Sequence, residues 1–218
     1  MKVTVIPVTA FQQNCSVLRC EGSGRGAVVD PGGELERILE IIHRERVEVE
    51  RILVTHGHAD HAGAVADLSE YLGVPVEGPH RDDLFLVTAM AEQARQFGLA
   101  ACRPFTPDRW LVHGDTVAVG ETTLQVLHCP GHTPGHVVFF DAADGFAVSG
   151  DVIFKGSIGR TDFPRGDFAT LLSSIRERLF PLGDDVTFLP GHGPVSTFGD
   201  ERRSNPFVGD AAVAGSVP

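Results

Sequence analysis

Thr55-His-Gly-His-Ala-Asp-His-Ala-Gly63 gathers three imidazoles and a carboxylate into the six positions from His56 to His61. The run follows Arg51-Ile-Leu-Val54, an apolar β-type segment, so these groups sit where a buried strand gives way to a loop. Neither packing nor capping calls for such a cluster, whereas neutral imidazole and carboxylate are metal ligands. The run therefore predicts a metal site.

Working outward, three other places carry a ligand-type residue directly after an apolar strand, beside glycine or proline. They are Val126-Leu-His-Cys-Pro-Gly-His132, Val148-Ser-Gly-Asp151 and Phe188-Leu-Pro-Gly-His192. Glycine lets the backbone approach closely, and strand ends on one sheet edge are a natural place for a site. Together His56, His58, Asp60, His61, His132, Asp151 and His192 offer five imidazoles and two carboxylates. That is too many for one tetrahedral zinc and suits two cations bridged by a carboxylate. With no thiolate, the set fits Zn, Fe or Mn. His43, His80 and His113 read as surface or turn residues, and His128 and His136 as flanking groups.

The remaining sequence fits a globular chain of 218 residues, with 42% hydrophobic and 22% charged residues. Net charge −11 argues against a nucleic-acid binder and requires a local cationic pocket for any anionic substrate. There is no apolar run of membrane-spanning length, and the amino terminus lacks the pattern of a signal peptide, so a cytoplasmic location is expected. The cysteines Cys15, Cys20, Cys102 and Cys129 form no CxxC pair and read as small buried residues.

Short strands are expected at 3–8, 15–20, 26–29, 52–54, 74–76 and 186–189, with hairpins at 116–127 and 137–148. Helices are expected at 34–46, 62–72, 82–97 and 168–179, the last capped by Asp167. Residues 1–204 read as one domain and 205–218 as a loose tail. Hairpins interleaved with helices suggest mixed sheets covered by helices rather than a doubly wound parallel fold.

The motif Thr55-His-Gly-His-Ala-Asp-His61, followed by Pro130-Gly-His-Thr-Pro-Gly-His136, Ser149-Gly-Asp151 and Pro190-Gly-His-Gly-Pro194, resembles the metallo-β-lactamase superfamily over nearly the whole chain. The resemblance implies an α/β (α+β) fold, a four-layer αββα sandwich of two mixed β-sheets flanked by helices. It also implies two divalent metal ions, zinc foremost with iron or manganese as alternatives. His56, His58 and His132 would hold the first, Asp60, His61 and His192 the second, with Asp151 between them.

Within the superfamily, Ile6-Pro-Val-Thr-Ala-Phe-Gln-Gln-Asn-Cys15 and Gly150-Asp-Val-Ile-Phe-Lys-Gly-Ser-Ile-Gly-Arg-Thr-Asp-Phe-Pro-Arg-Gly166 look like the short single-domain bacterial type of the glyoxalase II branch. That likeness implies a hydroxyacylglutathione hydrolase converting S-D-lactoylglutathione to D-lactate and glutathione by metal-activated water, with Asp60 orienting the water. Arg160 matches a basic residue that contacts glutathione in larger relatives, and Lys155, Arg202 and Arg203 are further candidates. The larger relatives add a C-terminal helical domain for glutathione, whereas this chain runs only to Pro218. Class B β-lactamases usually carry another ligand where Asp151 stands, and flavodiiron proteins usually carry Glu where His58 stands. The main alternative is a glutathione persulfide dioxygenase, with a single iron on His56, His132 and Asp151. A silent scaffold would have lost ligands, and a lactonase would need an active-site tyrosine that is missing here.

Overall fold

Val137-Val-Phe-Phe140 is apolar without interruption, which a strand tolerates only when both of its faces are covered. In the computed structural model, which describes residues 1–214, this is the case. Val137 and Phe139 point to one core, while Val138 and Phe140 point to another. The period-2 alternation of a strand thus builds two cores at once.

The first sheet is formed by β1 (Lys2–Val8), β2 (Gln13–Arg19), β3 (Arg25–Val29), β4 (Glu48–Leu53) and β5 (Val76–Glu77), in that spatial order. The first two pairings are antiparallel and the last two parallel. Helices α1 (Leu35–Arg44), α2 (Ala59–Ala62), α3 (Val65–Leu72), α4 (Leu84–Thr88) and α5 (Met90–Phe97) belong to this half. Ile38 and Ile42 of α1, Leu68 of α3 and Met90 of α5 share one core with Val17, Val28 and Ile52.

The second half carries β6 (Thr116–Val119), β7 (Thr122–His128), β8 (Val137–Asp141), β9 (Phe146–Gly150), the small β10 (Ile153–Phe154) and β11 (Ser157–Ile158) pair, β12 (Thr187–Pro190) and β13 (Ser196–Thr197). Its main sheet runs β13-β12-β9-β8-β7-β6. Helices α6 (Phe168–Ser174), α7 (Phe198–Ser204) and α8 (Asp210–Ala214) follow the strands. Leu171 of α6 and Phe198 of α7 cover the outer face with Phe140 and Phe188. Between the sheets, Leu18, Val29 and Leu53 meet Val126, Phe139 and Val148. The expected four-layer αββα sandwich is the observed fold.

Strand direction places the site. β7 and β9 are both antiparallel to β8, and β12 is parallel to β9, so the three run the same way. Their carboxyl ends leave the sheet at one edge, and His132, Asp151 and His192 follow those ends.

Local departures have local causes. The helix expected over 82–97 is broken into a 3-10 turn (Arg81–Asp83), α4 and α5. Thr88 Oγ1 donates back to the carbonyl of Leu84 at 2.9 Å, a bond that competes with the helical ladder where α4 ends. The helix capped by Asp167 starts as expected, with Thr170 N donating to Asp167 Oδ1 at 2.7 Å, but it passes into a π turn over Ile175–Leu179. The stretch expected as a tail begins as packed structure: Val208 is fully buried, and Asn205 Nδ2 donates to the carbonyl of Ser157 at 3.0 Å. Residues 215–218 of that tail lie outside the described part. All four cysteines are buried and unpaired, as expected.

Candidate metal centre

Each ligand station is held from below by buried polar groups. The chain leaves β4 through Thr55, whose N–H and hydroxyl both donate to Asp30, at 2.7 and 2.6 Å. Asp30 ends the segment after β3 and also accepts from His61 Nδ1 at 2.9 Å. Asn14 of β2 holds the last station through the carbonyls of Pro190 and Gly193, at 3.0 and 2.9 Å. Asp83 accepts from Gly57 N (2.9 Å), Thr133 Oγ1 (2.8 Å) and Gly135 N (2.6 Å), so one carboxylate ties the first histidine loop to the His132 loop. Burial pushes the Asp83 pKa up to about 6 against these three donors.

The seven predicted residues come together. His58 Nδ1 is 3.0 Å from both His56 Nε2 and His132 Nε2. His61 Nε2 and His192 Nε2 are 3.3 Å apart, and Asp60 Oδ2 is 3.3 Å from His192 Nε2. Asp151 faces both groups: Oδ1 is 3.3 Å from His61 Nε2, and Oδ2 is 3.6 Å from His132 Nε2 and 3.7 Å from His192 Nε2.

Hydrogen bonding outside the cluster assigns the tautomers. His132 Nδ1 donates to the carbonyl of Arg160 at 2.7 Å, His192 Nδ1 to the carbonyl of Phe11 at 3.0 Å, and His61 Nδ1 to Asp30. The Thr55 hydroxyl spends its proton on Asp30, so at 3.1 Å it accepts from His56 Nδ1. In their neutral forms, four imidazoles therefore aim bare Nε2 lone pairs inward. Asp151 Oδ1 is buried there without a hydrogen bond. Lone pairs converging on lone pairs need cations between them, and the donor set fits metal ions.

Electrostatics agree. Burial and the neighbouring imidazoles hold His56 well below its ordinary pKa, and His58 down to about 3, so both rings are neutral, the form that binds a metal. Burial works against charge on His61 and His192 as well, but Asp151 and Asp60 raise both above the ordinary histidine value. Without another cation, protons occupy the positions that a metal would take.

Close approach depends on glycine. A Cβ at Gly191 would stand 2.0 Å from Asp151 Oδ1 and 2.5 Å from His61 Cε1, so no other residue fits between them. His136, expected as a flanking group, accepts from Asp151 N at 3.0 Å through Nε2 and stacks on His56 with centroids 4.6 Å apart.

A cavity of about 670 Å³ opens over the cluster, bordered by His58, Asp60, Asp151 and His192. Of the four cations named from the sequence, Lys155 and Arg160 line it. Arg202 pairs with Asp184, and Arg203 with Asp200 at 2.7 Å; neither lines the cavity. Sequence reading missed Asn14, Asp30 and Asp83. Asp30 alone carried a signal: it stands at a strand end before Pro-Gly-Gly, as the ligands stand at theirs.

This is a metal-binding sandwich with its donors at one edge. Residues 8–192 match the family model of the metallo-beta-lactamase superfamily, and the chain belongs to that superfamily. It is 46% identical over 209 residues to hydroxyacylglutathione hydrolase GloC of Haemophilus influenzae, covering 95% of this chain and 98% of the relative. A solved structure of TTHA1623 in a di-iron-bound form superposes with a TM-score of 0.86 at 39% identity, covering 94% of this chain and 99% of that one. The BLEG-1 B3 metallo-beta-lactamase gives a TM-score of 0.87 at 33% identity, over 95% and 99% of the two chains.

Proposed function

We propose that the protein is a binuclear thioester hydrolase, a hydroxyacylglutathione hydrolase that cleaves S-D-lactoylglutathione to D-lactate and glutathione. The observation that carries this reading is the position of Asp151, whose two oxygens face the two histidine groups. His56, His58 and His132 would hold one divalent ion, and Asp60, His61 and His192 the other, zinc being the first candidate. Asp151 would bridge them. The relationship to GloC supports the choice of glutathione thioesters.

When bound, two such ions supply Lewis acidity, lowering the pKa of water and stabilising negative charge on a thioester oxygen. The residues of the chain do the rest. At Asp60, burial opposes charge, but His61 and the hydrogen bond from His192 hold its pKa below the ordinary carboxylate value. It is therefore a permanent acceptor, suited to orienting the proton of an attacking water. The outward bonds of His132 and His192 keep their rings from turning during the reaction.

Purified protein with its metal content measured would be assayed for loss of S-D-lactoylglutathione and, separately, for oxygen uptake with glutathione persulfide. Two ions per chain with thioester hydrolysis is the expected result. One iron per chain with oxygen uptake and no hydrolysis overturns the reading in favour of the dioxygenase.

A further inference from the structure

We propose that the cavity selects glutathione thioesters with bulky apolar acyl groups: a wall of phenylalanines receives the acyl group, and Lys155 receives an anionic group of the glutathione half. The inference rests on the thioester-hydrolase reading and narrows its substrate class.

Four phenylalanines line the cavity, Phe11, Phe97, Phe154 and Phe163. They flank the ligand cluster from two sides. The Phe163 ring lies 4.9 Å from that of His58 and 5.8 Å from that of His132, with Phe97 next to it at 6.3 Å. On the other side, Phe154 is 6.3 Å from His192, and the carbonyl of Phe11 accepts from that same histidine. Phe97 is 38% exposed and Phe11 44%, so apolar ring surface faces solvent at the cavity. A ligand that covers such surface gains affinity in proportion to the apolar area it removes from water. Lactoyl is small and carries a hydroxyl, so it covers little. An aryl or branched alkyl acyl group covers far more, and aromatic pairs prefer edge or offset contacts such as Phe97 and Phe163 already make.

The charge pattern points the same way for the thiol half. Arg160 is committed to Asp162 through two bonds, Nε to Oδ1 at 3.0 Å and a second nitrogen to Oδ2 at 2.7 Å, and its guanidinium lies 4.5 Å from the Phe163 ring centre. It works as a neutralised lid on that ring. Lys155 is the other cation at the cavity wall and has no ion-pair partner among the described residues. In a chain of net charge −11, it is the local cation that an anionic group of the substrate requires.

The test uses metal-loaded protein and two non-hydrolysable thioethers, S-benzylglutathione and S-methylglutathione, titrated calorimetrically. S-benzylglutathione should bind at least about tenfold more tightly, the lower end of what a hydrophobic pocket gives for a single extra methylene. Phe163→Ser should erase most of that difference, weakening S-benzylglutathione more than S-methylglutathione. Lys155→Met should weaken both ligands alike, and Lys155→Arg should restore them. In steady-state assays, S-phenylacetylglutathione should exceed S-D-lactoylglutathione in kcat/KM, with Lys155→Met acting on KM rather than kcat. Equal binding of the two thioethers, or a preference unchanged by Phe163→Ser, overturns the selectivity. Tight thioether binding without hydrolysis of any thioester leaves the selectivity standing and overturns the hydrolase reading.

Discussion

Asp83 accepts the main-chain N–H of Gly57 at 2.9 Å, the residue that separates His56 from His58. Its other oxygen accepts from Gly135, in the loop that follows His132. Only donors face this carboxylate, so Asp83→Asn would set an amide NH2 against an N–H or O–H. An unsatisfied buried group of this kind costs about 1–3 kcal/mol. Chemical denaturation should show that loss, and metal affinity should fall about 10- to 100-fold, the range for supporting residues behind metal ligands.

The same residue sets a pH dependence. Its folded pKa of about 6 lies above the ordinary value of about 3.9, so between those pH values the native state binds more protons than the unfolded one. The Asp83 contribution to stability is therefore greatest below about pH 4, declines as pH rises, and is level above about 6. Subtracting the stability profile of Asp83→Asn from that of the wild type should reveal this slope. A difference that does not change with pH would contradict it.

Gly191 is the narrowest point of the centre. Gly191→Ala drives a methyl into Asp151 Oδ1 and His61, which must part to admit it. Metal analysis should find at most one ion per chain in place of the proposed two, while circular dichroism stays native-like, because overpacking of one site costs about 1–3 kcal/mol. Two tightly held ions in this variant would show that Asp151 and His61 do not serve one centre.

Metal uptake should release protons. Asp151 and Asp60 raise His61 and His192, so on the acid side of those raised values each ring is protonated and must lose that proton to bind a cation. Affinity therefore rises with pH. Calorimetric titration of the metal-free protein with zinc, in buffers of different ionisation enthalpy, should yield a positive proton count that shrinks as pH increases.

What the sequence could show follows from distance along the chain. His56 to His61 is a local pattern, and each remaining donor stands at a strand end beside glycine or proline, so the donor set and the sandwich were both readable. Asp83 was not, because its partners Gly57 and Gly135 are 26 and 52 positions away and no local rule links them. The break at Thr88 escaped for a different reason: periodicity continues through it, while Thr88 Oγ1 bonds back to Leu84 and Ala89 N turns to the carbonyl of Leu86. Arg202 and Arg203 look like pocket cations by proximity to His192, yet α7 commits them to Asp184 and Asp200. The packing of Val208 depends on an apolar surface made by residues far upstream.

The donors are divided between the sheets. His56, His58, Asp60 and His61 follow a strand of the first, whereas His132, Asp151 and His192 follow strands of the second. A chain cut between the exposed Ala100 and Ala101 would yield two fragments, each with one complete sheet and only part of the proposed donor set. Neither fragment would carry all seven of the side chains proposed to hold two ions. On the proposed two-ion reading, metal capture would then report reassembly, and the centre would act as a clasp that registers when the two halves of the polypeptide have met.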